Sequence, residues 1–211
     1  MLKYKTIDSC MIADYNINKS RFIAHVKRTT TEEHAEEYIE QLRKKYWDAN
    51  HNCAAYIIGG EKEKQKAYDD GEPSGTAGMP ILDVLQKKDL SDITVVVTRY
   101  FGGIKLGASG LIRAYGHSAS LVLSKALIVE RTPFEKIKIN FKYSLLGAME
   151  NYCHKNNIRI LNKIYSDGVE FTILAITENY ENITQSVLDI AAGTCRIIKL
   201  GEFYFDVPVA E

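Results

Sequence analysis

The run "DITVVVTRY", Asp92 to Tyr100, constrains the chain most, because Ile93 to Val97 and Thr98 are β-branched without interruption. Side chains of this kind favour a pleated backbone, and a run with no polar alternation reads as a strand buried on both faces. Glycine-rich segments bound this strand's neighbourhood. "DDGEPSGTAGMP" (Asp69 to Pro80) lies upstream and "FGGIKLGASG" (Phe101 to Gly110) follows it directly.

Helical periodicity appears on both sides of the run. Ala35, Tyr38, Ile39, Leu42 and Tyr46 recur at helical spacing after Thr30 and Glu33, which have capping-box spacing. A short helix is expected from about Ala77 to Lys88, with Ile81, Val84 and Leu85 inward. A longer one from Ala108 has Leu111, Ile112, Tyr115, Ala119, Val122 and Ala126 on its inner side. "KYKTI" and "SRFIAHV" read as strands. "CAAYIIGG" reads as a buried strand ending in a glycine turn, with "EKQKAY" returning as a hairpin arm. The pattern changes near Thr132-Pro133. From there it reads strand, helix, strand, turn at Ser166-Asp167-Gly168, strand, helix stopped at Gly193, strand. That order is the split βαβ, or ferredoxin-like (βαββαβ), arrangement. The expectation is an α+β protein of two domains, 1–132 and 133–211.

With 45% hydrophobic and 26% charged residues the chain is globular in composition, and its formal net charge of zero carries no bulk nucleic-acid footprint. Four cysteines without a Cys-x-x-Cys pair, an N-terminus lacking an apolar run and no membrane-length apolar stretch point to a cytoplasmic protein with reduced thiols.

Both glycine-rich loops deliver glycines and hydroxyls to a helix entrance: Gly71, Ser74, Gly75, Thr76 and Gly78 in the first, Gly102, Gly103, Gly107, Ser109 and Gly110 in the second. Backbone N–H groups of such loops can cradle a phosphate or carboxylate at a helix N-terminus. Lys105, Arg99 and Arg113 would add positive charge, and Tyr100, Phe101 and Tyr115 interleave with them as surfaces for unpaired bases or as core residues. Equally, the glycines can serve tight turns alone and the hydroxyls cap helices. No Gly-Lys-Ser/Thr follows either loop, and Gly103, Gly107 and Gly110 have the wrong separations for a dinucleotide fingerprint.

Asp69, Asp70 and Glu72 leave three readings open: ligands for a hard cation, solvated turn carboxylates, or partners of the loop cations. In "NHNCAAY", His51 and Cys53 fall on one strand face, so His51, Cys53, Asp70 and Glu72 are the candidates for catalysis. No metal site or cofactor is expected, since a third and fourth ligand at usable spacing are missing.

"DDGEPSGTAG" and "VVVTRYFGGIKLGASGLIRAY", preceded by "SRFIA" and "HNCAAY", closely resemble the IMPACT/YigZ family. The resemblance implies an N-terminal α/β sandwich like the second domain of a small-subunit ribosomal protein, followed by a ferredoxin-like domain. Eukaryotic relatives are translation regulators acting by protein–protein competition, while bacterial members have no settled activity. The matching positions are His51, Cys53, Asp70, Glu72, Ser74, Gly75, Thr76, Arg99, Tyr100, Gly102, Gly103, Lys105, Gly107, Gly110, Arg113 and Tyr115, which the resemblance marks as surface candidates. The functional expectation is a non-enzymatic, translation-associated protein that binds RNA or a ribosome-linked partner, or else a small anionic ligand. Its alternatives are a hydrolase or transferase on a phosphorylated or carboxylate substrate and a pure protein-interaction module.

Overall fold

The computed structural model describes residues 2–59 and 64–209. Its first part runs β1 (Tyr4–Ile7), β2 (Met11–Ile17), β3 (Ser20–Arg28), α1 (Glu32–Lys45), β4 (His51–Ile58) and β5 (Lys64–Tyr68). It continues with α2 (Gly78–Lys87), β6 (Ile93–Tyr100), α3 (Gly107–Lys125) and β7 (Ile128–Phe141). There follow α4 (Leu146–Lys155), β8 (Arg159–Tyr165), β9 (Val169–Ile176), α5 (Tyr180–Ile190) and β10 (Arg196–Pro208). Contacts divide the chain into two units, one of Leu2–Arg131 with the stretch from Asp206, the other of Thr132–Phe205.

The first unit is an antiparallel sheet in the order β2-β3-β6-β4-β5. The β-branched run is its middle strand, buried from Ile93 to Arg99. Strand alternation sends Val95 and Val97 to the face covered by α2 and α3, where Ile81, Leu85, Leu111, Tyr115, Ala119 and Val122 pack. Val96 points to the opposite face with Ala54, Tyr56 and Ile58, under Ala35, Ile39 and Leu42 of α1. Helices on both faces explain why no polar alternation is tolerated, since each buried Val or Ile contributes about 1.5–3 kcal/mol. Outside this sheet, β1 pairs with the first residues of β7, from Tyr4↔Arg131 to Ile7↔Ile128.

Four expectations need adjustment. The α1 cap is Thr31, whose hydroxyl accepts from the His34 N–H, one residue later than the Thr30 spacing suggested. β2 is a further, edge strand in which Met11, Ala13, Tyr15 and Ile17 turn to the core and Asp14 and Asn16 turn out, with only Ile12 breaking the polar side of the alternation. Ile112 is exposed and not on the inner side of α3. β7 runs without a break through Thr132-Pro133, and from Asp206 the chain groups with the first unit, where Asp206 pairs with Arg28 (2.7 Å) and Arg131 (3.0 Å). The hairpin between β4 and β5 has the expected antiparallel register, Ala54↔Tyr68 to Ile58↔Lys64; its connection, Gly60 to Glu63, lies outside the described residues.

The second unit has the βαββαβ order, with antiparallel pairing of β7 to β9 and β9 to β8, and β10 pairing with β7. Ile137, Ile139, Phe141, Phe171 and Ile173 of the sheet pack with Met149 and Cys153 of α4 and with Ile183 and Val187 of α5. After the C-cap Ala191, the left-handed residue that ends α5 is Ala192 (φ +45°), one position before the expected Gly193, which follows at φ +74° and gives its N–H to the Leu188 carbonyl at 2.9 Å.

Candidate functional site

One row of the first sheet builds the floor of the candidate site. The registers Phe22↔Arg99 and His51↔Arg99 place β3, β6 and β4 residues side by side at the strand ends from which the loops leave. Arg99 follows Val95 and Val97 on the α2/α3 face, so its guanidinium points inward and is only 5% exposed. Its charge is met by Glu72 of the first loop, whose carboxylate accepts from Arg99 Nη1 at 2.7 Å and from the Tyr115 hydroxyl at 2.7 Å. Phe22 and Phe101 each hold the guanidinium at 5.4 Å from their ring centres. Phe22 meets Tyr115 edge-on at 5.2 Å. A buried pair of this kind holds its geometry, because removing either partner strands the other charge out of water.

The first loop is closed on itself. The Asp69 carboxylate accepts the N–H groups of Gly75 (2.7 Å), Ala77 (3.0 Å) and Gly78 (2.9 Å), so it is a resident anion at the entrance of α2. Burial works against its charge, but the three N–H donors outweigh it and hold the Asp69 carboxyl below the ordinary carboxylate value. Gly78 is required because a Cβ there would lie 2.5 Å from the Tyr68 backbone nitrogen. Asp70 accepts the Asn52 N–H at 2.6 Å and faces Arg43 at 3.2 Å. Thr76 is buried and donates to the Pro73 carbonyl at 2.7 Å, while Ser74 is exposed. The three carboxylates therefore engage three different sets of partners, which removes the shared-cation reading. Among the described residues no group of three His, Cys, Asp or Glu is placed to hold a metal ion.

The second loop is tied down only at its start. The Phe101 N–H donates to Asn50 Oδ1 (2.7 Å) and the Gly102 N–H to the Ser20 hydroxyl (3.2 Å). A Cβ at Gly102 would fall 2.0 Å from the Lys19 backbone, so only glycine fits there. Beyond it, Gly103, Ile104, Lys105 and Gly107 to Ser109 are exposed, with Gly110 partly so. Leu106 at the cap of α3 supplies no side-chain acceptor, and the first turn of the helix holds no acidic residue. Arg113 is exposed and donates back to the Ser109 carbonyl at 3.3 Å. Tyr100 donates to Asp48 at 2.9 Å, and Tyr115 is fully buried.

The two loops meet. A cavity of about 350 Å³ is lined by Glu72 and Pro73 of the first, by Phe101, Lys105, Leu106, Gly107 and Ala108 of the second, and by Asn50, His51, Arg99 and Leu111. Of the anion receptor expected from both loops, the first contributes a wall and no free cradle, since Asp69 already occupies its amides. Arg99 is likewise balanced by Glu72 and is no free cation. Arg113 does not line this cavity, which leaves Lys105 and the head of α3.

His51 and Cys53 lie apart in character. The Asp70 carbonyl, 2.9 Å from His51 Nδ1, can only accept, so Nδ1 carries the proton and Nε2 faces Glu72 at 3.9 Å. The Cys53 thiol is fully buried, 2.9 Å from the Asp69 carbonyl oxygen and 3.3 Å from the Tyr115 hydroxyl. Burial above all, then the Glu72 and Asp70 charges, push its pKa up and deny it a thiolate. Burial likewise pushes the Tyr115 hydroxyl up. Sequence reading also passed over Trp47, the only tryptophan, which stands 82% exposed in the turn that carries Asn50. The single tryptophan of the chain, set directly before the polar run Asp48-Ala49-Asn50, was the signal in the sequence.

These features define a class: an α+β protein with a helix-flanked antiparallel sheet bearing two glycine-rich loops, followed by a ferredoxin-like unit. Residues 18–123 match the model of the Impact N-terminal domain, and 139–194 match a domain of unknown function, DUF1949. The chain is 48% identical over 197 residues to the IMPACT family member YvyE of Bacillus subtilis, covering 90% of this chain and 91% of that one. It is 31% identical over 188 residues to the IMPACT family member YigZ of Escherichia coli, covering 88% and 92%. The chain belongs to the IMPACT family. Protein IMPACT homolog of Dictyostelium discoideum is 38% identical over 103 residues, 47% of this chain and 28% of its own. A crystal structure described as that of a hypothetical protein superposes with a TM-score of 0.63 at 28% identity, over 95% of this chain and 98% of the other.

Proposed function

We propose that this chain is a non-enzymatic, translation-associated protein of the cytosol that binds RNA, free or on the ribosome, through the loop between β6 and α3. The observation that carries the reading is the open head of α3. There an uncapped helix start, the exposed Lys105 and the 44% exposed ring of Phe101 border one cavity. Backbone amides and an ammonium group accept phosphate, and an aromatic ring next to them gives an unpaired base a face to stack on. The likeness to translation regulators supports the setting, and no described helix is long and apolar enough to cross a membrane.

The hydrolase or transferase alternative loses its nucleophile with the protonated Cys53 thiol, and of the four catalytic candidates only His51 and Glu72 line the cavity, with Glu72 already engaged by Arg99 and Tyr115. Filter binding of ribosomal RNA across a salt series tests the proposal. Binding that weakens steadily with salt, with a slope reduced by about one in Lys105→Glu, is expected. Absence of binding at low salt, or a slope of zero, overturns it. Affinity capture before and after nuclease treatment separates the protein-interaction alternative, whose partners would survive the nuclease.

A further inference from the structure

We infer that the groove between β2 and α3 receives an extended, acidic peptide segment of a partner protein, which joins the first sheet as an added antiparallel strand beside β2. This surface is separate from the loop proposed above for RNA, and either can fail without the other.

The outer edge of β2 is a row of open main-chain groups. Asn18 and Lys19 both have positive φ (47° and 64°) and join Ile17 to Ser20, which makes a two-residue type I′ hairpin. In such a hairpin the flanking pair exchanges both hydrogen bonds, and the alternation then runs back along the strand. The register is unbroken from Ile17↔Ser20 to Met11↔Val26, so Tyr15, Ala13 and Met11 also bond to β3. Ile12, Asp14 and Asn16 therefore turn their N–H and C=O groups away from β3, and among the described residues no strand pairs there. The opposite edge of the same sheet is blunted. β5 is five residues long and carries the exposed Lys64 and Lys66, a usual guard against strand addition. β2 has seven residues with no lysine, proline or bulge.

Beside this open edge lies a groove of about 680 Å³. Tyr15 and Ile17 form its sheet wall. Leu106, Gly110, Arg113 and His117 form its helix wall, at spacings that set them on one stripe of α3. Gly110 keeps that wall low, Ile17 and Leu106 make the near end apolar, and His117 rests on the Tyr15 ring with centroids 4.4 Å apart. Arg113 is exposed and donates to the Ser109 carbonyl at 3.3 Å, and among the described residues no carboxylate lines the groove. A peptide laid along β2 sends every second side chain into the groove, about 7 Å apart. An apolar residue against Ile17 and Leu106, followed on the same face by Asp or Glu against Arg113, complements the lining.

The edge also selects the class of partner. Its open donors and acceptors alternate, which matches another peptide backbone and not a row of phosphates. A second copy of β2 is the poorer occupant. A two-fold axis through that edge keeps Met11, Ala13, Tyr15 and Ile17 on the α3 face, so the copy brings no acid to Arg113. Centred on Asp14, it would also set two aspartates opposite each other.

Two blocked octapeptides provide the test: Thr-Val-Thr-Val-Thr-Glu-Thr-Val and the same peptide with lysine in place of glutamate. Each is titrated into the full chain, and amide hydrogen exchange is then followed residue by residue. The glutamate peptide is expected to bind at least about tenfold more tightly than the lysine peptide. It is expected to slow exchange at the Ile12, Asp14 and Asn16 amides. Arg113→Glu is expected to invert the preference, and unchanged melting of this surface variant separates lost recognition from lost folding. Asp14→Pro removes an outward N–H and no bond to β3, and is expected to abolish binding of both peptides. No binding of the glutamate peptide at millimolar concentration, equal affinity for the two peptides, or slowed exchange confined to other amides overturns the inference. So does a dimer, found by sedimentation, that protects the same three amides without peptide, or ribosomal RNA that protects them. Lys105 does not line this groove, so the RNA-binding outcome of Lys105→Glu leaves the inference untouched.

Discussion

The two glycine-rich loops share composition, a place between strand and helix, and one cavity, yet they are opposites in charge economy. The first carries its own anion: Asp69 fills the amides at the head of α2. The second brings no acceptor to the head of α3 and keeps Lys105 in water. A glycine-rich turn before a helix is thus a receptor only if the chain has not already supplied its ligand. One aspartate at the start of a loop decides which case applies.

Breaking the floor that both loops rest on has the largest expected effect. Glu72→Ala leaves Arg99 and Tyr115 buried without their acceptor and is expected to cost about 3–5 kcal/mol in urea denaturation. A loss under about 1 kcal/mol would mean that the guanidinium finds water instead. Asp69→Ala opens three amides of the first loop and is expected to cost about 2–4 kcal/mol. Because the folded carboxyl sits below its ordinary 3.8, the clamp's contribution is complete above that pH and is lost as pH falls through the folded value. Asp69→Asn is therefore expected to flatten the acid limb of the stability curve below about pH 4. If both proteins lose stability equally on acidification, the clamp is not what titrates.

Gly102→Ala sharpens the comparison from the other side. Its Cβ would collide with the Lys19 backbone, and a cost of about 1–3 kcal/mol is expected. Gly103→Ala, where a Cβ meets nothing within 4 Å but φ is +86°, is expected to cost less, about 1 kcal/mol from backbone strain. The smallest effect belongs to Lys105→Ala, which is expected to leave the urea midpoint where it is and to change only ligand binding. A shifted midpoint would show the ammonium to be part of the fold's own polar network.

Sequence carried the fold well where periodicity is strong. The β-branched run, the three helices of the first unit and the βαββαβ order all follow from apolar spacing. It carried less at β2, where Ala13, Tyr15 and Ile17 alternate with Asp14 and Asn16 but Ile12 breaks the polar side, and the ladder with β3 makes the strand plain. The site was half legible. Both loops, His51 and Lys105 could be named from residue type, and of the two readings open for Arg99, an anion-binding cation or a partner of a loop carboxylate, the second is the one the structure pairs. The parity of Arg99 with Val95 and Val97 already pointed it inward, and a buried arginine demands a carboxylate. Which carboxylate answers, 27 positions earlier in a turn, is a fact of tertiary folding.

Trp47 has a practical bearing on every one of these measurements. Its indole stands in water in the native protein, so its emission will hardly report unfolding, and ellipticity or tyrosine signals must follow denaturation instead. The same placement gives the protein a built-in optical label: any macromolecule that settles over the turn between α1 and β4 will desolvate the single indole and shift its spectrum.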